Sequence, residues 1–268
     1  MKWVDLRPEV DPLTGAVRCD VRTSGPSAAD EAALEWALRI GEAWGVEVVA
    51  VTAGPGEADG MLRDALARGA AHALRIEATG DATSGDVAAA IAQALPPAVD
   101  VVVCGAWSTD RGSGSVPAFL AAELHAAQAL GLVSLTLEEE GTTIQADRRL
   151  DGGRRERLRI EGRAVLSVEA GGVRLRRAGL GSVLAAGRAV IDVASRPPVA
   201  PPAPLVRTAP FRPRARVLAG PGGQLDARAR IVSLTGALVD RDPPRVVRLG
   251  PAAAADELLA QLQAWGYR

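Results

Sequence analysis

The glycine- and serine-rich run from Cys104 to Pro117, Cys-Gly-Ala-Trp-Ser-Thr-Asp-Arg-Gly-Ser-Gly-Ser-Val-Pro, has the residue types to hold an anion. Gly112 and Gly114 let the backbone approach a ligand closely, and Ser113 and Ser115 offer hydroxyls. Val116 and Pro117 would open a helix whose free N–H groups point at whatever sits there. An isolated Gly-x-Gly fits a plain tight turn with a serine cap better. Here the flanks favour a phosphate. Asp100-Val101-Val102-Val103 reads as a buried strand on one side, and Ala118 to Leu124 as a helix on the other. Other chemistry-bearing residues are sparse. Only His72 and His125 could act as an imidazole base, and their places, before a strand and at a helix end, are those of surface or capping residues. Cys19 and Cys104 belong to no metal-type or redox spacing, and Cys104 at a strand end reads as packing.

Alternating strands and helices would position that loop. Ser27-Ala28-Ala29-Asp30 forms a capping box, followed by helical spacing through Leu34, Leu38 and Ile40 to a stop at Gly45. Val46 to Thr52 reads as a strand, Leu62, Ala65 and Leu66 as one face of a helix ended by Gly69, and Ala73 to Ile76 as a short strand. Thr83-Ser84-Gly85-Asp86 offers a second capping box before a helix to Leu95. This alternation predicts an α/β fold: a doubly wound, mostly parallel sheet with helices on both faces. After about residue 130 the pattern changes to short strands at Leu132–Leu137, Thr142–Leu150, Arg154–Ile160 and Ala164–Val168, with turns at Glu140-Gly141, Asp151-Gly152-Gly153 and Glu161-Gly162. This predicts an antiparallel β-hairpin extension. Its arginines, 148, 149, 154, 155, 157 and 159, read as a solvated face, since no aromatic residue interleaves with them. Ser195 to Pro213 is Pro-rich and aperiodic, an extended linker. Beyond it lie a strand-like Val246–Leu249 and a last helix from about Ala253 to Ala264, together an extended C-terminal arm suited to docking. The expected division is 1–194 for the α/β domain and 195–268 for linker and arm.

The 268 residues carry 31 basic and 32 acidic side chains, a net charge of −1, which argues against electrostatic binding of nucleic acid or anionic lipid. No apolar run is long enough to span a bilayer and no signal-peptide pattern stands at the N-terminus, so a cytoplasmic protein is expected.

Taken in order, these segments resemble the beta (small) subunit of electron transfer flavoproteins. The matching blocks are Ser27 to Arg39, Thr52-Ala53-Gly54-Pro55 with Leu62 to Ala70, the Cys104–Pro117 loop, Leu150-Asp151-Gly152-Gly153 through Ala164–Val168, Arg176 to Ala186, and the closing helix around Asp256–Leu262. The resemblance implies an adenine-nucleotide α-hydrolase-like fold and a heterodimer that carries electrons and is not itself an enzyme. FAD would be held mainly by an alpha subunit and a structural AMP by this chain, or a second FAD in an electron-bifurcating branch. Carried over by position, the nucleotide site uses Ser27, Ala28, Ala29, Asp30, Ala53, Asp110, Gly112, Ser113, Gly114, Ser115 and Val116. Asp110 would repel phosphate, which leaves it a ribose hydroxyl or the helix cap. The Arg176–Ala186 block, within about 171–188, corresponds to the recognition loop, with Leu180 as the apolar anchor for a partner dehydrogenase.

Three departures stand out. The family's proline and phenylalanine are Ala28 and Ala29 here. Its lysine-rich stretch after the leucine is Ala185-Ala186-Gly187-Arg188, which puts its usual acyl-CoA dehydrogenase partners in doubt. Its opening apolar strand has no counterpart before Met1-Lys2-Trp3-Val4, which predicts an earlier translation start and, without that strand, two open sheet edges. The segment Leu234–Arg241 with Trp265-Gly266-Tyr267 resembles the subgroup encoded beside mycofactocin redox systems. Two other readings remain: a nucleotide-free assembly module of the same fold, and an adenine-nucleotide hydrolase-like enzyme, whose Ser-Gly-Gly-x-Asp-Ser motif is absent.

Overall fold

In the computed structural model, which describes residues 1–78, 82–138, 142–195, 223–235 and 246–266, the capping signals of the sequence open helices where they stand. The N-terminal arm comes first, with β1 (Val4–Asp5), β2 (Glu9–Val10), β3 (Val17–Arg18) and β4 (Ser24–Gly25). β1 pairs antiparallel with β4, and β2 with β3. The buried Asp5 carboxylate ties this arm together, accepting from Thr23 Oγ1 and from the Arg7 and Asp20 N–H groups, which hold its carboxyl below the ordinary carboxylate range.

The first helix, α1 (Ala28–Trp44), is opened by the reciprocal bonds of Ser27 and Asp30 and closed by left-handed Gly45. There follow β5 (Val49–Gly54), α2 (Asp59–Ala67), β6 (His72–Glu77), α3 (Ser84–Ala94), β7 (Val101–Gly105), α4 (Val116–Glu123), β8 (Ala127–Leu137), β9 (Ile144–Arg149), β10 (Arg155–Ile160), β11 (Ala164–Val168), α5 (Leu180–Ala186) and β12 (Asp192–Ala194). Thr83 and Asp86 form the second capping box, at the start of α3.

The parallel strands do not form one continuous sheet. β12, β6 and β5 make a parallel three-stranded sheet, and β10-β9-β8-β11-β7 a second sheet of five. In the second, β7, β11 and β8 run parallel, while β8, β9 and β10 form the antiparallel extension. β8 serves both parts because its register shifts between Leu132 and Ser134, beside Gly131 at φ 69°. α1 packs on both sheets. Ala33, Trp36 and Ile40 face Leu132, Leu166 and Val168 of the larger, and Leu34 and Leu38 join Ala50 and Ala73 of the smaller together with Leu62 of α2. On the opposite face, Ala88 of α3 and Leu120 and Ala121 of α4 cover Val102, Cys104 and Val165. The hairpin arginines are ion-paired in an exposed lattice: Arg148 with Glu156, Arg157 with Asp147 and Arg149 with Glu169.

The chain divides into units 1–212 and 213–268. The second holds α6 (Ala227–Thr235) and α7 (Pro251–Ala264), whose Leu258 and Leu259 are exposed. Val246–Leu249 is not a strand. Its backbone is irregular and, among the described residues, finds no strand to pair with. The turn at Glu140-Gly141, nearly all of the Pro-rich linker, residues 236–241 of the mycofactocin-like segment and Tyr267 lie outside the described residues.

Candidate functional site

A cavity of about 230 Å³ opens where the carboxyl ends of β5 and β7 meet the loops that follow them, the crevice in which open α/β sheets bind ligands. Its floor comes from Ala53, Gly54 and Pro55 after β5 and from Cys104 and Gly105 at the end of β7. Asp30, in the first turn of α1, reaches the cavity because that helix start lies against β7. A Cβ on Gly105 would come within 3.0 Å of the Asp30 nitrogen and 3.1 Å of its carboxylate.

The loop from Trp107 to Val116 makes one wall. The Gly112 N–H closes a turn on the Ser108 carbonyl at 3.0 Å. Gly112 and Gly114 take φ of 64° and 58°, and a Cβ on Gly114 would collide with the Ala106 carbonyl oxygen. The chain can fold back this tightly only with glycine there. Ser115 stands at the N-cap of α4 but its side chain makes no capping bond; its hydroxyl lies 3.0 Å from that of Ser113. The two hydroxyls and the opening amides of α4 therefore sit together at the cavity wall, a donor-rich arrangement suited to an oxyanion.

Asp110 does not cap the helix. Its carboxylate is paired with the Lys2 ammonium and accepts from the Ser108 hydroxyl at 2.6 Å. Burial pushes the Asp110 carboxyl up, but Lys2 and Ser108 outweigh it and hold it down to about 2. The N-terminal arm thus supplies the cation that neutralises the one acid of the loop. Arg111 ties the loop to the segment before α3 through the Ala82 carbonyl, at 2.7 Å. On the far side, buried Arg75 is held by Asp59 at 2.8 Å and reaches the Gly54 carbonyl, which stiffens the turn after β5. Burial raises the Cys104 thiol to about 11, so it stays protonated and serves as packing.

Of the residues expected from sequence, Asp30, Ala53, Asp110, Ser113, Gly114, Ser115 and Val116 line the cavity. Ser27, Ala28, Ala29 and Gly112 do not. They stand one layer back, Ser27 as the cap of α1 and Gly112 as the turn that sets Ser113 in place. Lys2, Trp3, Ser84, Val87 and Ile91 line it without having been expected, since nothing local in sequence links the N-terminal arm or α3 to the loop. Trp107, half exposed and also lining the cavity, was readable within the run itself. Leu180 lies elsewhere, as the first residue of α5. It is 77% exposed, with Leu184 exposed beside it. The segment expected as a loop is therefore helical from its anchor onward.

Residues 20–198 match the family model of the electron transfer flavoprotein domain. The chain belongs to the electron transfer flavoprotein family. Three of its relatives are beta subunits. The electron transfer flavoprotein subunit beta of Methylophilus methylotrophus is 30% identical over 173 residues, 62% of this chain and 65% of that one. The same subunit of Thermoanaerobacterium thermosaccharolyticum is 33% identical over 152 residues, covering 54% and 56%. That of Bradyrhizobium diazoefficiens is 30% identical over 146 residues, covering 52% and 56%. The chain thus spans less than two thirds of the length of these flavoprotein subunits. The family match takes in the whole of β5 to β12, and with them most of the cavity. Among the described residues, no helix is long and apolar enough to cross a membrane, and no three His, Cys, Asp or Glu side chains group as metal ligands.

Proposed function

We infer that this chain is the beta subunit of a heterodimeric electron transfer flavoprotein, with an adenine nucleotide, AMP, held structurally in the cavity between β5 and β7. FAD would be shared with an alpha subunit and would supply the electron-carrying chemistry when bound. The observation that carries this reading is the Gly114 turn, pressed on the Ala106 carbonyl and holding Ser113 and Ser115 at the cavity wall. The cavity fits a phosphate ester because its nearest acid, Asp110, is already neutralised by Lys2. Ser113, Ser115 and the α4 amides would bind the phosphate, while Asp30, whose carboxylate accepts from the Ser27 hydroxyl and forms no salt bridge among the described residues, can accept from a ribose hydroxyl. Trp107 offers an aromatic face at the same cavity.

The chain itself would position cofactors and choose partners; it would not catalyse. Leu180, exposed between Gly179 and Gly181, suits brief docking to a partner dehydrogenase, and the exposed leucines of α7 suit an arm that packs on another surface. A cytoplasmic setting and the mycofactocin-associated subgroup belong to the same proposal.

The test is the cofactor content of this chain co-purified with its alpha subunit. One FAD and one AMP per heterodimer are expected. Gly114→Val should lose the AMP while the heterodimer still forms. Two FAD would move the reading to the bifurcating branch, and flavin without any AMP would favour the nucleotide-free assembly module.

A further inference from the structure

α5 is too small to hold itself in place. It has seven residues, Gly179 at its N-cap offers no side chain, and Ala186 is its one buried residue. A helix of two turns gains little from its own hydrogen bonds. Leu180, Val183 and Leu184 are all exposed. Whatever fixes its position must act from its ends.

Both ends are held by α2, on which α5 packs. Leu175 before α5 and Ile191 after it seat in the same apolar cluster as Leu62 and Ala65 of α2. Between them, the Arg176 and Ala189 carbonyls lie outside any helix or strand, and each is satisfied by an arginine of α2 or its cap. Arg68 Nε donates to the Arg176 carbonyl at 3.0 Å, and Arg63 Nε to the Ala189 carbonyl at 3.4 Å. Arg68 is the firmer support. Asp64, one turn earlier, accepts from its Nη1 through both carboxylate and carbonyl, so the guanidinium is aimed by its own helix. The planar fork serves Asp64 and the Arg176 carbonyl at once, from different nitrogens. Arg176 itself is fixed from the other side by Glu35 and Glu42 of α1.

We propose that Arg68 and Arg63 are positioning residues for partner docking: by clamping both ends of α5 they set Leu180, Val183 and Leu184 as one ready-made apolar face. The inference rests on the docking role given to Leu180 above. A loose seven-residue helix would have to be ordered at every encounter, and that ordering would weaken binding. With the clamp in place the helix is ordered when the chain folds. Losing the clamp therefore raises the partner concentration needed and leaves the electron-transfer step within the complex unchanged.

Arg68→Met, which keeps the aliphatic stem and removes the donors, tests this in the heterodimer. In hydrogen exchange without any partner, the amides of Val183 to Gly187 should exchange about 10-fold faster than in the parent, with those of α1 unchanged. Unchanged exchange in α5 overturns the proposal. Flavin reduction is then followed with the dehydrogenase purified from the native host by its ability to reduce this heterodimer. Arg68→Met should raise KM about 10-fold at an unaltered kcat. In a Leu180→Ala background the same substitution should add less than about 3-fold, because it acts through that face. An undiminished further loss overturns the proposal. A loss in Leu180→Ala with none in Arg68→Met overturns the clamp alone; no loss in Leu180→Ala overturns the docking reading, and the proposal with it. Should Arg68→Met fail to fold, Arg63→Met, at the other end of the clamp, is read in the same way.

Discussion

Asp110 shows how an acid can stand in a loop rich in hydroxyl and amide donors. Its carboxyl is lowered from an ordinary 3.8 to about 2, so it stays ionised throughout the physiological range and keeps Lys2 beside it. The sign follows directly. The contribution of the pair is complete above pH 3.8 and lost as pH falls toward 2. Both partners are two-fifths exposed, and solvent screening keeps the worth of the pair small. In the proposed complex, Asp110→Asn would leave the Lys2 ammonium to the phosphate and strengthen AMP binding by up to about 5-fold. Calorimetric titration of AMP-depleted heterodimer checks this. A weaker affinity in the variant would mean that Asp110 contacts the nucleotide directly. The loop glycines and serines were legible because their types state the chemistry. The Lys2 contact was not, because a distance of 108 residues separates it from its partner.

At the scale of elements, the segment leading from β11 to α5 is pinned to α1 by one arginine. Arg176 is paired with buried Glu35 and with Glu42, its guanidinium reaching Glu35 at 3.0 Å while its own N–H also donates there at 3.1 Å. Burial alone would push the Glu35 carboxyl up, but Arg176 and Arg39 outweigh it and hold it below its ordinary 4.5. A lowered carboxylate stabilises the fold above its unfolded pKa, and that share disappears as pH falls through the folded value. Glu35→Gln should therefore cost roughly 1.5–3 kcal/mol at neutral pH. The deficit should shrink below pH 4.5, read as converging melting temperatures of variant and parent. A deficit that stays constant with pH would assign the loss to packing. Glu35 sits amid the apolar positions of α1, and its role could not be read there because its partner lies 141 residues away.

For the molecule as a whole, α5 and the turn that follows it carry an apolar surface that their own domain leaves open. Leu180, Leu184 and Val190 are each at least 60% exposed. Under the proposed docking role, Leu180→Ala should slow electron exchange with the partner dehydrogenase about 30-fold at limiting partner concentration. FAD content and melting temperature should stay unchanged, since the side chain contributes little to its own core. Stopped-flow flavin reduction by the partner provides the measurement. An unaltered rate would return Leu180 to an ordinary surface leucine.

The sequence by itself determined the capped helices, the strands of β-branched residues, the hairpin signalled by Asp151-Gly152-Gly153 and the tight glycine turn between Gly112 and Ser115. These follow from local conformational preference and from periodicities short enough to read along the chain. Tertiary structure alone decided that Lys2 neutralises Asp110, that Arg176 locks α5's approach to α1, and that α3 walls the cavity. It also decided that Leu180 starts a helix and that residues 246–249 form no strand. Such outcomes depend on which distant groups meet, because a buried charge takes whichever partner folding delivers and a strand exists only when another edge pairs with it.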